Sequence, residues 1–505
     1  MNGRNLTLLT DFYELNMMYA HYRRGTHEVP VVFDLFYRQN PCGGGYALAA
    51  GLESVIDFVA GLLFAPDDLD YLRSLNRYDE GFLDLLGQFR FTGDIEAIPE
   101  GTVVFPGEPL VRVKAPILQA QLLETALLTL INHQTLIATK ASRVVQAAGG
   151  DPVLEFGLRR AHGPDAGLYG ARAAMIGGCY ATSNVLAGKR FGARVAGTHA
   201  HSLVQFFDDE EEAFETYLAA FPDEGVLLVD TYHTLRSGLP KALEVFRRLR
   251  QAGHKPLAVR LDSGDLAYLS KETRKILDAA GFPEVKIVGS SDLDEYLIRD
   301  LKAQGARIDI WGVGTNLITS RDYPALGGVY KLAAVEENGR MAPRIKVSEN
   351  PDKVTNPGVK KVIRLYDECG MAAADLIALT GEEIDPSAPL TLFDPVHTWK
   401  RKTLAKFTAK ELLVPIFRGG ELVYTPPDLA EIQARTRAGL ATFWEEYRRL
   451  TNPAMYPVDL SEALWNIKQQ MIRQAIGGPA GSGPSKADPS KRSDVVENNS
   501  GGPGR

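Results

Sequence analysis

The chain has 505 residues and a mass of 55.3 kDa, with 45% hydrophobic and 24% charged residues. These ordinary globular proportions exclude a wholly disordered chain, a collagen and a coiled coil, and the length allows two or three units of about 100–200 residues or one large barrel with additions. Lys and Arg number 56 against 63 Asp and Glu, a net charge of −7, so no nucleic-acid surface is indicated, while a local basic pocket for an anionic substrate remains compatible. Cys42, Cys179 and Cys369 are odd in number and far apart, which supports neither a disulfide framework nor a zinc cluster and fits a reducing compartment. The opening MNGRNLTLLTDFYELNMMY lacks a signal peptide's unbroken apolar core, and no run of about 18 uncharged apolar residues occurs; a cytoplasmic chain without a membrane span is expected.

The first 150 residues mix element types. Residues 10–22 read as a helix with Thr10 or Asp11 as N-cap, and residues 29–37 as a strand ending at the turn-rich QNPCGGG. Helical text follows at 51–63 and 67–89, strand text interrupted by PGEP at 103–113, and one long helical pattern at 119–148. The pattern then becomes regular. Apolar runs at 153–156, 193–196, 225–229, 257–261, 285–288, 308–311 and 329–334 alternate with amphipathic stretches, the last run following a loop instead. Continuous runs of this kind suit parallel strands buried on both faces, so the expected fold is α/β, an irregular βα barrel over 151–345, with an open doubly wound sheet as the alternative. A mixed α/β domain is expected from residues 1–150 together with C-terminal additions over 346–477. Residues 346–364 read as a basic loop, with Lys346, Lys353, Lys360, Lys361 and Arg364 among prolines and glycines, either docked on the barrel mouth or solvated. A helix is expected around 428–450. Residues 478–505 are Gly-, Pro-, Ser- and charge-rich and are expected to be disordered.

In a parallel barrel the chemistry lies where strands run into loops. After 153–156 come Arg159, Arg160 and His162, two forked donors for a carboxylate or phosphate, or a surface salt-bridge pair. After 193–196 comes GTHAHS, whose His199 and His201 offer a base, a metal ligand, a phosphoryl acceptor or a helix cap. After 225–229, Asp230 and Thr231 suit a helix cap, a sugar hydroxyl or a metal ion. After 257–261 comes DSGD: Arg260 and Asp262 alternate along the strand and share a face, and Asp262 with Asp265 can hold ribose hydroxyls or Mg2+ water. Gly289, Ser290 and Ser291 open a helix whose start suits a phosphate, and Gly312, Gly314 and Thr315 allow close backbone approach; tight packing turns explain either loop equally. Together these describe a cup for a polyanionic sugar.

The strings LLTDFYELNM, AAGLE, ATKASR, EFGLRRAHG, GTHAHSLVQFF, DTYHT, VRLDSGDL, WGVGTNL and LGGVYKL, in this order over residues 8–365, resemble the nicotinate phosphoribosyltransferases. The resemblance implies a type II phosphoribosyltransferase barrel. It also implies the reaction of nicotinate, phosphoribosyl pyrophosphate, ATP and water to nicotinate mononucleotide, pyrophosphate, ADP and phosphate, with Mg2+, in NAD salvage. It implies a homodimer with shared sites, no nucleic-acid or membrane partner, His201 as an autophosphorylated histidine, and Tyr13, Thr198 and Arg260 at nicotinate, with Phe156 as a second stacking ring. Thr315 matches a phosphoribosyl-pyrophosphate position. Asp262 and Asp265 are the ribose or Mg2+ candidates. A nicotinamide- or quinolinate-using relative, a barrel hydrolase or aldolase with Asp262 and Asp265 as acid and base, and a non-catalytic phosphosugar-binding protein are the alternatives.

Overall fold

The structure, a computed structural model, describes residues 4–350 and 353–477; the expected tail at 478–505 lies outside them. Six parallel strands form the expected catalytic sheet, in the order Ala181–Thr182, Val153–Glu155, Ile310–Val313, Lys286–Gly289, Ala258–Leu261, Val226–Leu228. Their side chains are mostly buried, as runs covered on both faces require. The helices Leu239–Gln251, Leu266–Ala279 and Glu295–Ala303 follow three of these strands; Asp265 and Asp294 cap the last two by accepting from Tyr268 N–H, and from Tyr296 and Leu297 N–H. The sheet curls into a half-barrel and stays open at one side. The strand expected at 193–196 is reduced to a single bridge between Thr182 and Val195.

The run at 329–334 is not a barrel strand. Gly328–Glu337 pairs antiparallel with Pro30–Tyr37, inside a seven-stranded sheet that also holds Arg340–Pro343, Val111–Pro116, Asp94–Ala97, Val414–Arg418 and Glu421–Leu422. The missing helix before this run was the local sign. Its partner lies some 300 residues away in sequence, which no local pattern reveals; the Phe33 and Tyr330 rings stack across the pair at 4.7 Å. Residues from the middle and end of the chain thus complete the N-terminal unit. The long helix Glu124–Ala148 joins the two units, with Lys140 and Arg143 both bonded to the buried Glu295 of a barrel helix.

Three helical readings break differently. The stretch at 67–89 is two helices, Pro66–Ser74 and Glu80–Gly87, separated where Asn76 takes a positive φ and Asp79 caps the second. The stretch at 119–148 divides at Leu123 into Ile117–Leu122 and Glu124–Ala148. The stretch at 428–450 ends as Leu429–Ala441, with a short turn Glu445–Arg448 beyond it.

The basic segment is also corrected. Lys360–Tyr366 is an inner strand of a four-stranded sheet with Thr408–Glu411, Ala372–Leu379 and Val458–Leu460. Lys360 is buried against Asp34 at 2.6 Å, and Arg364 against Asp375 at 2.6 Å. Burial, and then the adjacent Asp375 charge, push the Glu108 carboxyl well above its usual range, so a neutral Glu108 sits beside the Asp375–Arg364 pair. Asp375→Ala strands the Arg364 charge and should lower unfolding stability by about 3–5 kcal/mol in a urea titration. Asp70→Ala, which breaks a surface pair with Arg73, should cost less than about 1 kcal/mol.

Candidate active site

Arg260 stands near the end of the Ala258–Leu261 strand with its side chain only 14% exposed. Its three nitrogens diverge. Nε donates to Ser290 Oγ at 2.8 Å, Nη1 to Thr198 Oγ1 at 2.8 Å, and Nη2 to Asp262 Oδ1 at 2.7 Å. Each partner comes from a different loop, so one guanidinium assembles the cup. Ser290 Oγ also donates to Asp262 Oδ1 at 2.5 Å. Burial works to raise the Asp262 carboxyl, and the Arg260 charge with the Ser290 hydroxyl outweighs it, holding Asp262 below the ordinary carboxylate range.

Beside this hub, His201 Nδ1 lies 3.1 Å from Thr231 Oγ1 and Nε2 lies 3.8 Å from Asp262 Oδ2. The ring is 40% exposed. Asp230 does not cap a helix. Its Oδ2 accepts from Asp262 N–H at 2.9 Å and from Ser263 Oγ at 2.7 Å, tying two loops together, and the following helical turn is capped by His233.

His199, its neighbour two residues earlier, has a different task. It is buried, with Nε2 accepting from Leu228 N–H at 3.0 Å and Nδ1 3.3 Å from Ala200 O. Leu228 belongs to the edge strand at the open side of the half-barrel. The imidazole therefore supplies the acceptor that a neighbouring strand would have offered. Burial first, then the Arg260 and His201 charges, lower its pKa, which keeps it in the neutral form this role needs. Tyr217 closes over it edge to face at 4.9 Å. The spacing of the two histidines is thus explained without a metal, and among the described residues no cluster of three or more His, Cys, Asp or Glu side chains could hold an ion.

Phe156 forms the cup's aromatic wall. The Arg260 guanidinium carbon lies 5.5 Å from the ring centroid, and a Cβ on Gly312 would come within 2.9 Å of the ring, so only glycine fits there. Glu155, buried just before it, accepts from Gly157 N–H at 2.5 Å and Thr182 Oγ1 at 2.6 Å and so fixes the turn after Phe156. Arg159 and Arg160 are exposed in the next turn and make no ion pair among the described residues, contrary to the salt-bridge reading. The Gly289–Ser291 loop is less open than expected. Ser290 N–H donates to Leu261 O, Gly289 packs on Ile308, and the helix starts only at Glu295. Ser291 takes a φ of 97°, a backbone shape held by the loop. Thr315 starts a four-residue helix directly after Gly314. Asp265 caps through Oδ1 and is exposed.

Mg2+ takes oxygen ligands, usually one or two carboxylates completed by substrate oxygens and water. The residues present fit such an ion. Asp230 Oδ1 is buried without a hydrogen-bond partner, and the carboxylates of Asp262 and Asp265 each keep an oxygen outside the hydrogen bonds described above, so one or two of them could ligate the ion with substrate oxygens and water completing the shell; the three do not form a ready-made site by themselves.

Tyr13 is absent from this assembly. It is 46% exposed on the N-terminal helix, and the groups acting on its hydroxyl are Glu124, Glu14 and Asp11. Sequence reading also missed a cavity of about 560 Å3 in the N-terminal unit, lined by Arg38, Lys331, Lys353, Lys360 and Lys468 with Asp34. The lining cations come from four separated segments, around 38, 331, 353–360 and 468, which is why no local motif announced it.

The parallel half-barrel sheet is the fold of the type II phosphoribosyltransferases. A nicotinate-nucleotide pyrophosphorylase from Pyrococcus furiosus has the same fold, with a TM-score of 0.67 over 88% of this chain and 97% of that one at 23% identity. Human nicotinic acid phosphoribosyltransferase superposes with a TM-score of 0.81 over 92% of this chain and all of that one, at 33% identity. Residues 8–132 and 359–468 match the nicotinate phosphoribosyltransferase (NAPRTase) N-terminal and C-terminal domains. The nicotinate phosphoribosyltransferase of Bacillus subtilis (strain 168) is 50% identical over 93% of this chain and 96% of its own, and that of Caenorhabditis elegans 37% identical over 92% and 94%. The chain belongs to the nicotinate phosphoribosyltransferase family, enzymes of NAD salvage biosynthesis. No described helix is long and apolar enough to cross a membrane.

His199→Ala removes the acceptor for Leu228 N–H and should lower the urea midpoint by an amount equal to about 1–3 kcal/mol. His199→Gln, whose amide oxygen can accept in its place, should recover part of that loss.

Proposed function

We propose that this enzyme transfers the phosphoribosyl group of phosphoribosyl pyrophosphate to nicotinate and couples the transfer to ATP hydrolysis through phosphorylation of His201. The observation that carries the nicotinate reading is the state of Arg260. Of its five N–H groups, three are directed to Ser290, Thr198 and Asp262, which leaves one on each terminal nitrogen. Two remaining donors beside the Phe156 ring suit a planar aromatic carboxylate: they hold the carboxylate and the ring stacks.

In the reaction the pyridine nitrogen forms a bond to the anomeric carbon as the bond to the pyrophosphate oxygen breaks. Positive charge grows on the sugar and negative charge on the leaving group. Mg2+, when bound, supplies charge neutralisation on the departing pyrophosphate. Asp262 and Asp265 serve the ribose hydroxyls or that ion, and the Asp230 carboxylate braces Asp262 through its backbone N–H. The phosphates are assigned to Ser291, to Gly312, Gly314 and Thr315, and to Arg159 and Arg160, which make no ion pair among the described residues; Ser290, whose N–H and hydroxyl proton are already given to Leu261 and Asp262, serves the arginine hub instead.

For the ATP step we assign His201 the tautomer whose Nδ1–H donates to Thr231 Oγ1, 3.1 Å away, so that Nε2 carries the lone pair. Nε2 then takes the terminal phosphoryl group as ADP leaves. The new negative charge beside Asp262 and Arg260 alters the balance at the hub, and hydrolysis of the phosphohistidine resets it. Tyr13 is assigned to the pyridine ring of a neighbouring copy, which makes the working unit a homodimer. Its position among Asp11, Glu14 and Glu124 rather than among the mouth residues supports that reading. We assign the enzyme to the cytoplasm.

Arg260→Ala should raise the KM for nicotinate on the order of 10- to 100-fold, the worth of a charge-assisted pair of hydrogen bonds, with a smaller effect on the sugar donor. Equal effects on both substrates would remove the carboxylate role. His201→Ala should lose ATP hydrolysis and ATP stimulation while keeping slow ATP-independent pyrophosphate release with nicotinate. Label from radioactive γ-phosphate appearing on histidine in that variant would refute the assignment.

A further inference from the structure

The N-terminal helix Phe12–Arg24 begins after Asp11, which stands at the cap position yet makes no side-chain cap hydrogen bond. Its carboxylate turns to Thr125 on the helix Glu124–Ala148. Thr125 Oγ1 lies 2.8 Å from Asp11 Oδ2 and 2.8 Å from Glu14 Oε1, and it accepts from Asp11 N–H at 3.3 Å. The other Glu14 oxygen is bonded to Thr10 Oγ1. A threonine hydroxyl owns one proton and can donate it to one of two carboxylates. The second contact would then set two bare oxygens against each other, unless one carboxyl brings a proton of its own. Asp11 is exposed and Glu14 is fully buried. A buried charge is far costlier than one in water, so the proton belongs on Glu14.

From this geometry we propose that Glu14 acts in its neutral form as a positioning residue: the relay Glu14 Oε1–H to Thr125 Oγ1–H to Asp11 Oδ2 holds the helix start that presents Tyr13. The charges around Glu14 agree. Asp11 on its own helix and Glu124 on the facing helix both add negative charge. The nearby cation, Lys331 of the strand Gly328–Glu337, lies 3.6 Å from Glu124. Tyr13 and the buried Tyr330 are the remaining titratable neighbours, and the packed helix Ile117–Leu122 contributes only uncharged side chains. Burial, helped by Glu124 and Asp11 and opposed by the two threonine hydroxyls, pushes the Glu14 carboxyl up to about 7. Ionisation breaks the relay and leaves a bare carboxylate in the interface between the helices, which frees the helix start and Tyr13. The effect on catalysis rests on the reading above that Tyr13 lies against the pyridine ring.

The folded carboxyl titrates higher than the unfolded one, so this group's stability contribution is complete below the ordinary carboxyl range and is lost as pH rises to about 7. Urea midpoints of the full chain and of Glu14→Gln, compared between about pH 5 and pH 8.5, should show the variant gaining on the wild type as pH rises, and levelling once the wild-type group is ionised. In the same range the wild-type KM for nicotinate should rise about threefold with kcat less affected, while Glu14→Gln stays flat. Thr125→Val, which removes the relay hydroxyl, should show the raised KM already at the acid end. A midpoint difference that does not change with pH overturns the neutral Glu14. A growing difference with matching KM profiles overturns the positioning role. A Tyr13→Ala variant with the wild-type KM overturns the ring contact instead, and the midpoint comparison still decides where the proton sits.

Discussion

The guanidinium of Arg260 has five donors and no acceptor, so every group around it must turn an oxygen toward it. Thr198, Ser290 and Asp262 do so from three loops, two of which leave strands while the third follows the bridge at Val195. The cup is therefore an electrostatic assembly before it is a shape. Asp262 is kept ionised because Arg260 and Ser290 outweigh its burial, and an ionised Asp262 is in turn what fixes the arginine fork. Asp230 extends the same network one strand further by gripping the backbone of Asp262 and the hydroxyl of Ser263. A change at any of these oxygens alters the geometry of the others, which is how a site built on short loops stays rigid.

The half-barrel pays for its openness at one edge, and His199 meets that need. A closed barrel leaves no edge; here the Val226–Leu228 strand has a free side, and a neutral imidazole accepts from Leu228 in place of a seventh strand. The same segment runs from Thr198 on the arginine hub, through His199 at the barrel edge, to His201 at the mouth. Two flanking residues are functional candidates, and the one between them anchors both.

The N-terminal unit works with the opposite economy of charge. Lys360 with Asp34 is an ion pair buried between the four-stranded and seven-stranded sheets at the cavity wall, and Arg364 with Asp375 is one buried within the four-stranded sheet. Such pairs contribute little net stability over apolar packing, yet breaking one leaves a bare charge, so they favour one arrangement of strands over others. The cation-lined cavity is a consequence of this arrangement. It sits where two strands of the seven-stranded sheet, the segment around Lys353 and Lys360 and the helix Glu462–Gly477 bring together basic residues that are scattered in the chain.

Local pattern was sufficient for five of the six parallel strands, because runs buried on both faces are apolar throughout, but it missed the two-residue strand Ala181–Thr182 and turned the bridge at Val195 into a strand; the strand-end candidates followed because a parallel sheet places its loops at one end of every strand. Arg260 and Asp262 could be assigned to one face from alternation alone. The motif strings were enough for the family. The partner of the 329–334 run, the burial of Lys360 and Arg364, and the role of His199 were not legible, since each depends on a residue far away in the chain: Pro30–Tyr37, Asp34 and Asp375, and Leu228. Sequence determined which elements form and what chemistry their ends carry, because those follow from periodicity and residue type. Tertiary structure decided which polar groups lose water and which partner each one finds, because hydrogen bonding and burial are set by distances between segments that the order of residues does not encode locally.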